Sequence, residues 1–258
     1  MKLTPFKRFI FSAVPFAVLG AAFKVMTLVE GLTEIRPANA IPMIAGLLCG
    51  PAGAFGCAAG NLIADFFGSL SWASILGMAG NFLAAYLPWR LWHLFSREKP
   101  NVHTFRNLAL YAGLSLVSAL TVAWFLSFGL ELFFGHWVEN IYKYIFNNNF
   151  AFSLGLGLPL FIVLTSDSVN VEPCAPPECP KCMQNKFHPK YKPVPKIAVL
   201  LYFIIMLGIF AGVFAGFHLK NSVLMNVLSA FALILLIFLC IMPGSAEFAE
   251  YADAKSTE

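Results

Sequence analysis

Arg36 and Asn39 stand at one end of a long apolar run, and Asn61 and Asp65 stand at the other. A guanidinium, a carboxylate and two amides can hold a polar solute by charge and by hydrogen bonds. Asn81 offers a third amide, in the run Gly77-Met-Ala-Gly-Asn81, where small neighbours let backbone come close. Further along, Trp124, Ser127, Phe128 and Glu131 recur at three or four residues, so a helix would carry them on one face. These groups suit recognition. No nucleophile elbow, zinc-protease helix motif or phosphate loop accompanies them, so no enzymatic activity is expected.

Each candidate also has a structural reading. Arg36 and Asp65 could hold a substrate group or form an ion pair that ties a loop to a helix. Ionisable residues inside a membrane are costly and are functional suspects by default. Asn61 and Asn81 could contact a ligand or bridge two helices. Glu131 could face a pocket or be hydrated at a helix end. Trp72, before the next apolar run, could be an interfacial anchor or an aromatic wall.

A second chemical feature lies between Asp167 and His188. Cys174, Cys179, Cys182 and His188 have the spacing C-x4-C-x2-C-x5-H, four soft ligands within one short segment. Zinc takes such sulfur and nitrogen sets in tetrahedral geometry. The competing reading is three unligated thiols, since a reducing compartment does not favour disulfides. Zinc here is the one cofactor the sequence suggests. Cys49, Cys57 and Cys240 lie in apolar runs and read as packing residues.

The elements that must position these groups are membrane helices. Hydrophobic residues make up 59% of the 258, charged residues 12%, and the mean hydropathy is +0.75. Soluble domains carry about 25% charged residues. A net charge of +4 is too small to point to nucleic acid. Apolar runs cover 9–29, 72–95, 107–134, 150–166, 197–218 and 222–242, with a broken run over 40–67. In the broken run Pro42, Gly50, Pro51, Gly53, Gly56 and Gly60 oppose a straight helix. Broken helices at membrane depth occur where protein or a polar cavity surrounds them, as in transporter binding sites.

Charge distribution separates two topologies. One kinked helix over 40–67 makes seven passes, whereas short helices at 40–50 and 53–67 make eight. With eight passes and the N-terminus inside, the positive-inside rule is obeyed. Lys2, Lys7, Arg8, Arg90, Arg97, Lys99, Arg106, Lys181, Lys186, Lys190, Lys192, Lys196 and Lys255 then share the cytoplasmic side. Lys24, Arg36, Lys143 and Lys220 lie outside. Seven passes either reverse this bias or export the basic N-terminus, so the split is favoured. The first apolar run continues through Lys24 without a convincing cleavage site, which makes it a retained span. Within it Ala13, Ala17 and Ala21 form a small-residue stripe that could pack inside the bundle or against a partner helix.

A basic N-terminus, a helix with an Ala-xxx-Ala face and a polar outer loop precede the Pro-x-x-x-Gly-Leu-Leu-x-Gly-Pro-x-Gly-Ala run and its Asn-x-x-x-Asp ending. Together they resemble the substrate-binding S components of energy-coupling factor transporters, over about residues 5–166. The resemblance implies an all-α, polytopic membrane bundle with a six-helix core that includes the two short helices. It implies capture of a vitamin or other micronutrient from outside, followed by import with a membrane coupling protein and cytoplasmic ATPases. Ala13, Ala17 and Ala21 would meet the coupling protein. Arg36, Asn39, Asn61, Asp65, Asn81, Trp124 and Glu131 are the expected substrate-binding set, with the loop around Arg36 to Asn39 closing the pocket.

The chain departs from six helices. Residues 1–166 form the expected membrane core, 167–196 a Cys/Pro/Lys-rich cytoplasmic loop, 197–242 a two-helix extension and 243–258 an acidic tail. The expected setting is the cytoplasmic membrane, with membrane lipid and a small-molecule substrate as partners. Competing readings are a stand-alone secondary transporter and a non-transporting scaffold with a metal-binding loop.

Overall fold

The computed structural model describes residues 3–24, 26–29, 33–68, 70–96, 99–135, 140–169, 171–174, 194–219 and 222–241. The loop thiols Cys179 and Cys182, His188 and the acidic tail lie outside these. Helices dominate: α1 (Pro5–Ala22), α2 (Ile41–Asp65), α3 (Ala73–Phe95), α4 (Phe105–Phe134), α5 (Ile141–Phe152), α6 (Leu158–Thr165), α7 (Val194–Phe214) and α8 (Val223–Ile241). A 3-10 turn over Pro37–Ala40 leads into α2, and a π-helical turn over Ser153–Gly157 joins α5 to α6. A two-strand antiparallel ribbon, β1 (Thr27–Val29) with β2 (Thr33–Glu34), is the small exception to helix among the described residues.

Among the described residues, six helical segments are long and apolar enough to cross a membrane: Pro5–Ala22, Pro37–Asp65, Phe105–Phe134, Ile141–Thr165, Val194–Phe214 and Val223–Ile241. The bundle is therefore a membrane-embedded one. The second of these segments is not a straight rod. Gly50 has φ 61° and ψ −143°, a left-handed conformation that disfavours side chains, and Pro51 follows it. A Cβ on Gly53 would collide with the Ala45 carbonyl oxygen, eight residues earlier. The chain has doubled back.

Helix directions follow from the close approaches. A Cβ on Gly56 would lie 2.5 Å from the Phe9 carbonyl oxygen, one on Gly60 2.7 Å from that of Ala13, and one on Gly20 2.7 Å from the Ala64 Cβ. So residues 51–65 run parallel to α1. Residues 41–49 run the opposite way, because Arg8, near the start of α1, donates to the Leu48 carbonyl oxygen. At about 1.5 Å per residue these arms are only about 13 and 22 Å long, shorter than the roughly 30 Å hydrocarbon core. Protein surrounds them instead: 83% of the segment's apolar window is buried. The expected split at Gly50-Pro51 is the observed one, with its two arms running in opposite directions.

Two expected boundaries move. The first helix ends at Ala22, and the following residues turn into the ribbon, so Lys24 sits at the helix end. The segment expected over 150–166 begins at Ile141, which brings Asn147, Asn148 and Asn149 inside a helix. In the π turn, Tyr111 donates to the Ser153 carbonyl across 3.1 Å, and Gly157 gives the Ala40 carbonyl room to approach. Helix α5 is thereby fastened to the entry of α2.

Of the Ala13, Ala17 and Ala21 stripe, Ala13 packs within the chain, whereas Ala17 and Ala21 are half-buried. Ala13 is buried, and the Gly60 backbone packs against the Ala13 carbonyl and the Ala17 amide. Close backbone approach needs small residues on both sides, and α2 supplies them. The outward face of α1 is Phe6, Ile10, Val14 and Val18.

The C-terminal pair joins the bundle. Tyr202 of α7 shares a hydrogen bond of 2.9 Å with Thr121 of α4, and Tyr86 of α3 donates to the Cys240 carbonyl of α8 across 3.1 Å.

Candidate functional site

One end of the bundle, opposite the N-terminus, gathers the ends of α1, α2 and α5 and the start of α3. Here the fold brings together residues far apart in sequence. Lys24 Nζ lies 2.7 Å from Asp65 Oδ1, and Arg36 NH2 lies 3.3 Å from the same oxygen. Asn61 Nδ2 donates to Asp65 Oδ2 across 3.2 Å. Arg36 NH1 donates to Asn61 Oδ1 across 2.9 Å, and Asn81 Nδ2 donates to that same oxygen across 3.1 Å. Asn81 Nδ2 also donates to the Gly77 carbonyl across 2.9 Å.

The donors and acceptors fix the network's direction. A carboxylate only accepts, so Asn61 must turn its NH2 toward Asp65 and its oxygen toward Arg36 and Asn81. Asn81 must then turn its NH2 toward Asn61 and Gly77. Its remaining atom, Oδ1, is buried with no hydrogen-bond partner. Leaving such an acceptor unsatisfied costs about 1–3 kcal/mol. Asn81 is also where the network meets a cavity.

That cavity is partly enclosed and holds ≈ 60 Å³. Its polar wall carries Arg36, Asn39, Asp65, Asn81, Asn148 and Asn149, and Leu76, Val122, Leu126, Leu130 and Ile145 form an apolar wall. A water occupies roughly 10–15 Å³ by this measure, so the space admits only a few water-sized groups. Ligand pockets for drug-sized molecules are typically about 300–1,000 Å³. The cavity is smaller than these.

Of the expected set, Arg36, Asn39, Asp65 and Asn81 line the cavity, and Asn61, fully buried behind them, joins Arg36 to Asn81. Arg36 and Asp65 thus form the ion pair, and they do so on a cavity wall. Trp124 and Glu131 do not line it. The Trp124 indole N–H donates to Ser229 of α8 across 3.0 Å, and its ring stacks on Phe128. A buried indole needs an acceptor, and the C-terminal helix provides one. Glu131 is buried, so it is not hydrated at the helix end. Trp72 is 77% exposed, in keeping with an interfacial anchor.

The sequence reading missed Lys24, Asn148 and Asn149. Asn148 Oδ1 accepts from the Arg36 backbone N–H across 3.5 Å, and the Asn149 amide donates to the Ile145 carbonyl across 2.9 Å. The signal was present as three consecutive asparagines beside an apolar run. They precede the apolar run over 150–166, and the helix that carries them begins earlier, at Ile141.

Of the expected zinc ligands only Cys174 is described. Its backbone N–H donates to the Leu48 carbonyl across 2.9 Å, so it covers the turn at Gly50. Among the described residues no three His, Cys, Asp or Glu side chains form a metal-holding group.

No family model, curated protein or solved structure matches this chain. The membrane-embedded class rests on its own apolar helices, and any finer reading rests on the site.

Proposed function

We propose that the chain is the solute-binding subunit of an ATP-driven micronutrient importer, similar to the S components of energy-coupling factor transporters. The observation that carries this reading is the Asn81 acceptor, buried and unsatisfied at the end of a charged amide network that walls a cavity. A solute donating one hydrogen bond to Asn81 Oδ1 recovers a desolvation cost the protein already bears. The ion pairs hold Arg36 across the cavity, and the ribbon before Arg36 serves as the lid. Admission of a vitamin-sized solute requires the Arg36 bonds to part.

In this reading the N-terminus is cytoplasmic and the cavity opens outward, in line with the placement of thirteen of the seventeen Lys and Arg residues. The chain lacks a phosphate loop, so hydrolysis belongs to partner ATPases reached through a coupling protein. Binding, with no bond made or broken, is its own contribution.

The test is to purify the protein in mild detergent and identify co-purified small molecules by mass spectrometry. A solute present with the native protein and lost with Asn81→Ala supports the reading. Uptake by ATPase-free liposomes carrying this protein alone would replace it with a stand-alone transporter.

A further inference from the structure

The long trench between α4 and α7 lies at the opposite end of the bundle, toward the N-terminal face. Its volume is ≈ 440 Å³, and its walls include Leu110, Leu114, Val117, Val199 and Phe203. One glycine widens the space. Gly113 lies on α4 within the trench, and a Cβ placed on it would meet nothing within 4 Å. Glycine inside a helix costs about 1 kcal/mol relative to alanine. Elsewhere in the bundle glycines such as Gly46 and Gly56 admit neighbouring backbone. At Gly113 no neighbour uses the room.

The trench has a charged end. Lys196, near the start of α7, lines it, and so does Phe95. Arg106, near the start of α4, donates to the Phe95 carbonyl across 2.7 Å, which holds a guanidinium beside the same end. From Arg106 to Val117 the apolar floor extends about 16 Å at 1.5 Å per residue. Two exposed cations at one end of an apolar trench of that length match an amphiphile with an anionic head.

We propose that this trench binds an anionic phospholipid, with an acyl chain over Gly113 and the phosphate between Lys196 and Arg106. A helix is about 10–12 Å across and would overfill a trench of ≈ 440 Å³, whereas a hydrocarbon chain would not. Basic pockets between membrane helices favour acidic head groups, at about 1 kcal/mol per cation near the surface. The site is separate from the solute cavity and stands whether or not the chain is a transporter subunit.

The full chain in detergent is titrated with phosphatidylglycerol or phosphatidylcholine of matched acyl chains and examined by native mass spectrometry. Phosphatidylglycerol should bind about tenfold more tightly, the factor expected from roughly one to two cations. Lys196→Ala with Arg106→Ala should reduce it to the phosphatidylcholine level. Gly113→Leu places a bulky side chain in the trench and should weaken both lipids. Equal retention of the two lipids by the native protein overturns the head-group assignment. Undiminished retention by Gly113→Leu overturns the acyl-chain assignment, and the native comparison needs no variant to fold.

Discussion

Asn81 donates to the Asn61 side-chain oxygen across 3.1 Å, and this bond determines which atom of Asn81 is left over. Asn61 is held in turn by Asp65, a pure acceptor, so neither amide can be reversed without facing oxygen to oxygen. The unsatisfied Asn81 Oδ1 follows from Asp65, two hydrogen bonds away.

Replacing Asn81 with Ala should separate stability from binding. The Asn61 oxygen keeps its bond from Arg36, so the unliganded protein loses little. A ligand bonded to Oδ1 should bind about ten- to hundredfold more weakly, the equivalent of about 1–3 kcal/mol. Thermal unfolding with and without the co-purified solute measures both. A large fall in the unliganded melting temperature would make Asn81 chiefly a cross-link.

Asp65→Ala removes the acceptor shared by two cations. The Lys24 and Arg36 side chains are only 9% and 17% exposed, so they cannot simply turn to water. Breaking a buried pair from one side typically costs about 3–5 kcal/mol. Asp65→Ala should therefore destabilise the protein more than Lys24→Ala, which leaves the carboxylate with Arg36. Chemical or thermal unfolding in detergent compares the two.

Glycine-to-alanine changes should have opposite signs at two positions. At Gly46 the added methyl would overlap the Ala85 carbonyl, and overpacking costs about 1–3 kcal/mol or more. At Gly113 it meets nothing, so the gain in helix propensity should leave stability unchanged or raise it by up to about 1 kcal/mol. Melting temperatures of the two variants test the backbone contact directly.

On α1, Ala13→Trp should prevent folding, because Ala13 lies against α2. Val14→Trp should fold, since Val14 is 51% exposed, and should weaken association with any helix that docks on α1. Size-exclusion profiles and co-purification separate these effects. Normal folding of Ala13→Trp would return the alanine stripe to the surface.

Topology can be read by cysteine labelling in a background without native thiols. Leu70→Cys and His103→Cys lie in exposed connections at opposite ends of the bundle. An impermeant maleimide should reach Leu70→Cys in intact cells and His103→Cys only after permeabilisation. The reverse pattern would invert the orientation.

The membrane class and the break at Gly50-Pro51 were legible in the sequence because each has a local cause. Apolar composition acts residue by residue, and glycine with proline disrupts a helix wherever they stand. The polar candidates Arg36, Asn39, Asp65 and Asn81 were legible for a similar reason: polar groups in an apolar run need partners. Which partners they find depends on helix rotation and neighbours. Tertiary packing alone brought Lys24 to Asp65, drew Asn148 to Arg36 and turned Trp124 toward Ser229 of α8. It also decided that Ala13 meets Gly60 within the chain. Hydropathy records how strongly a residue avoids water; it carries no direction around the helix axis, and that direction assembles the site.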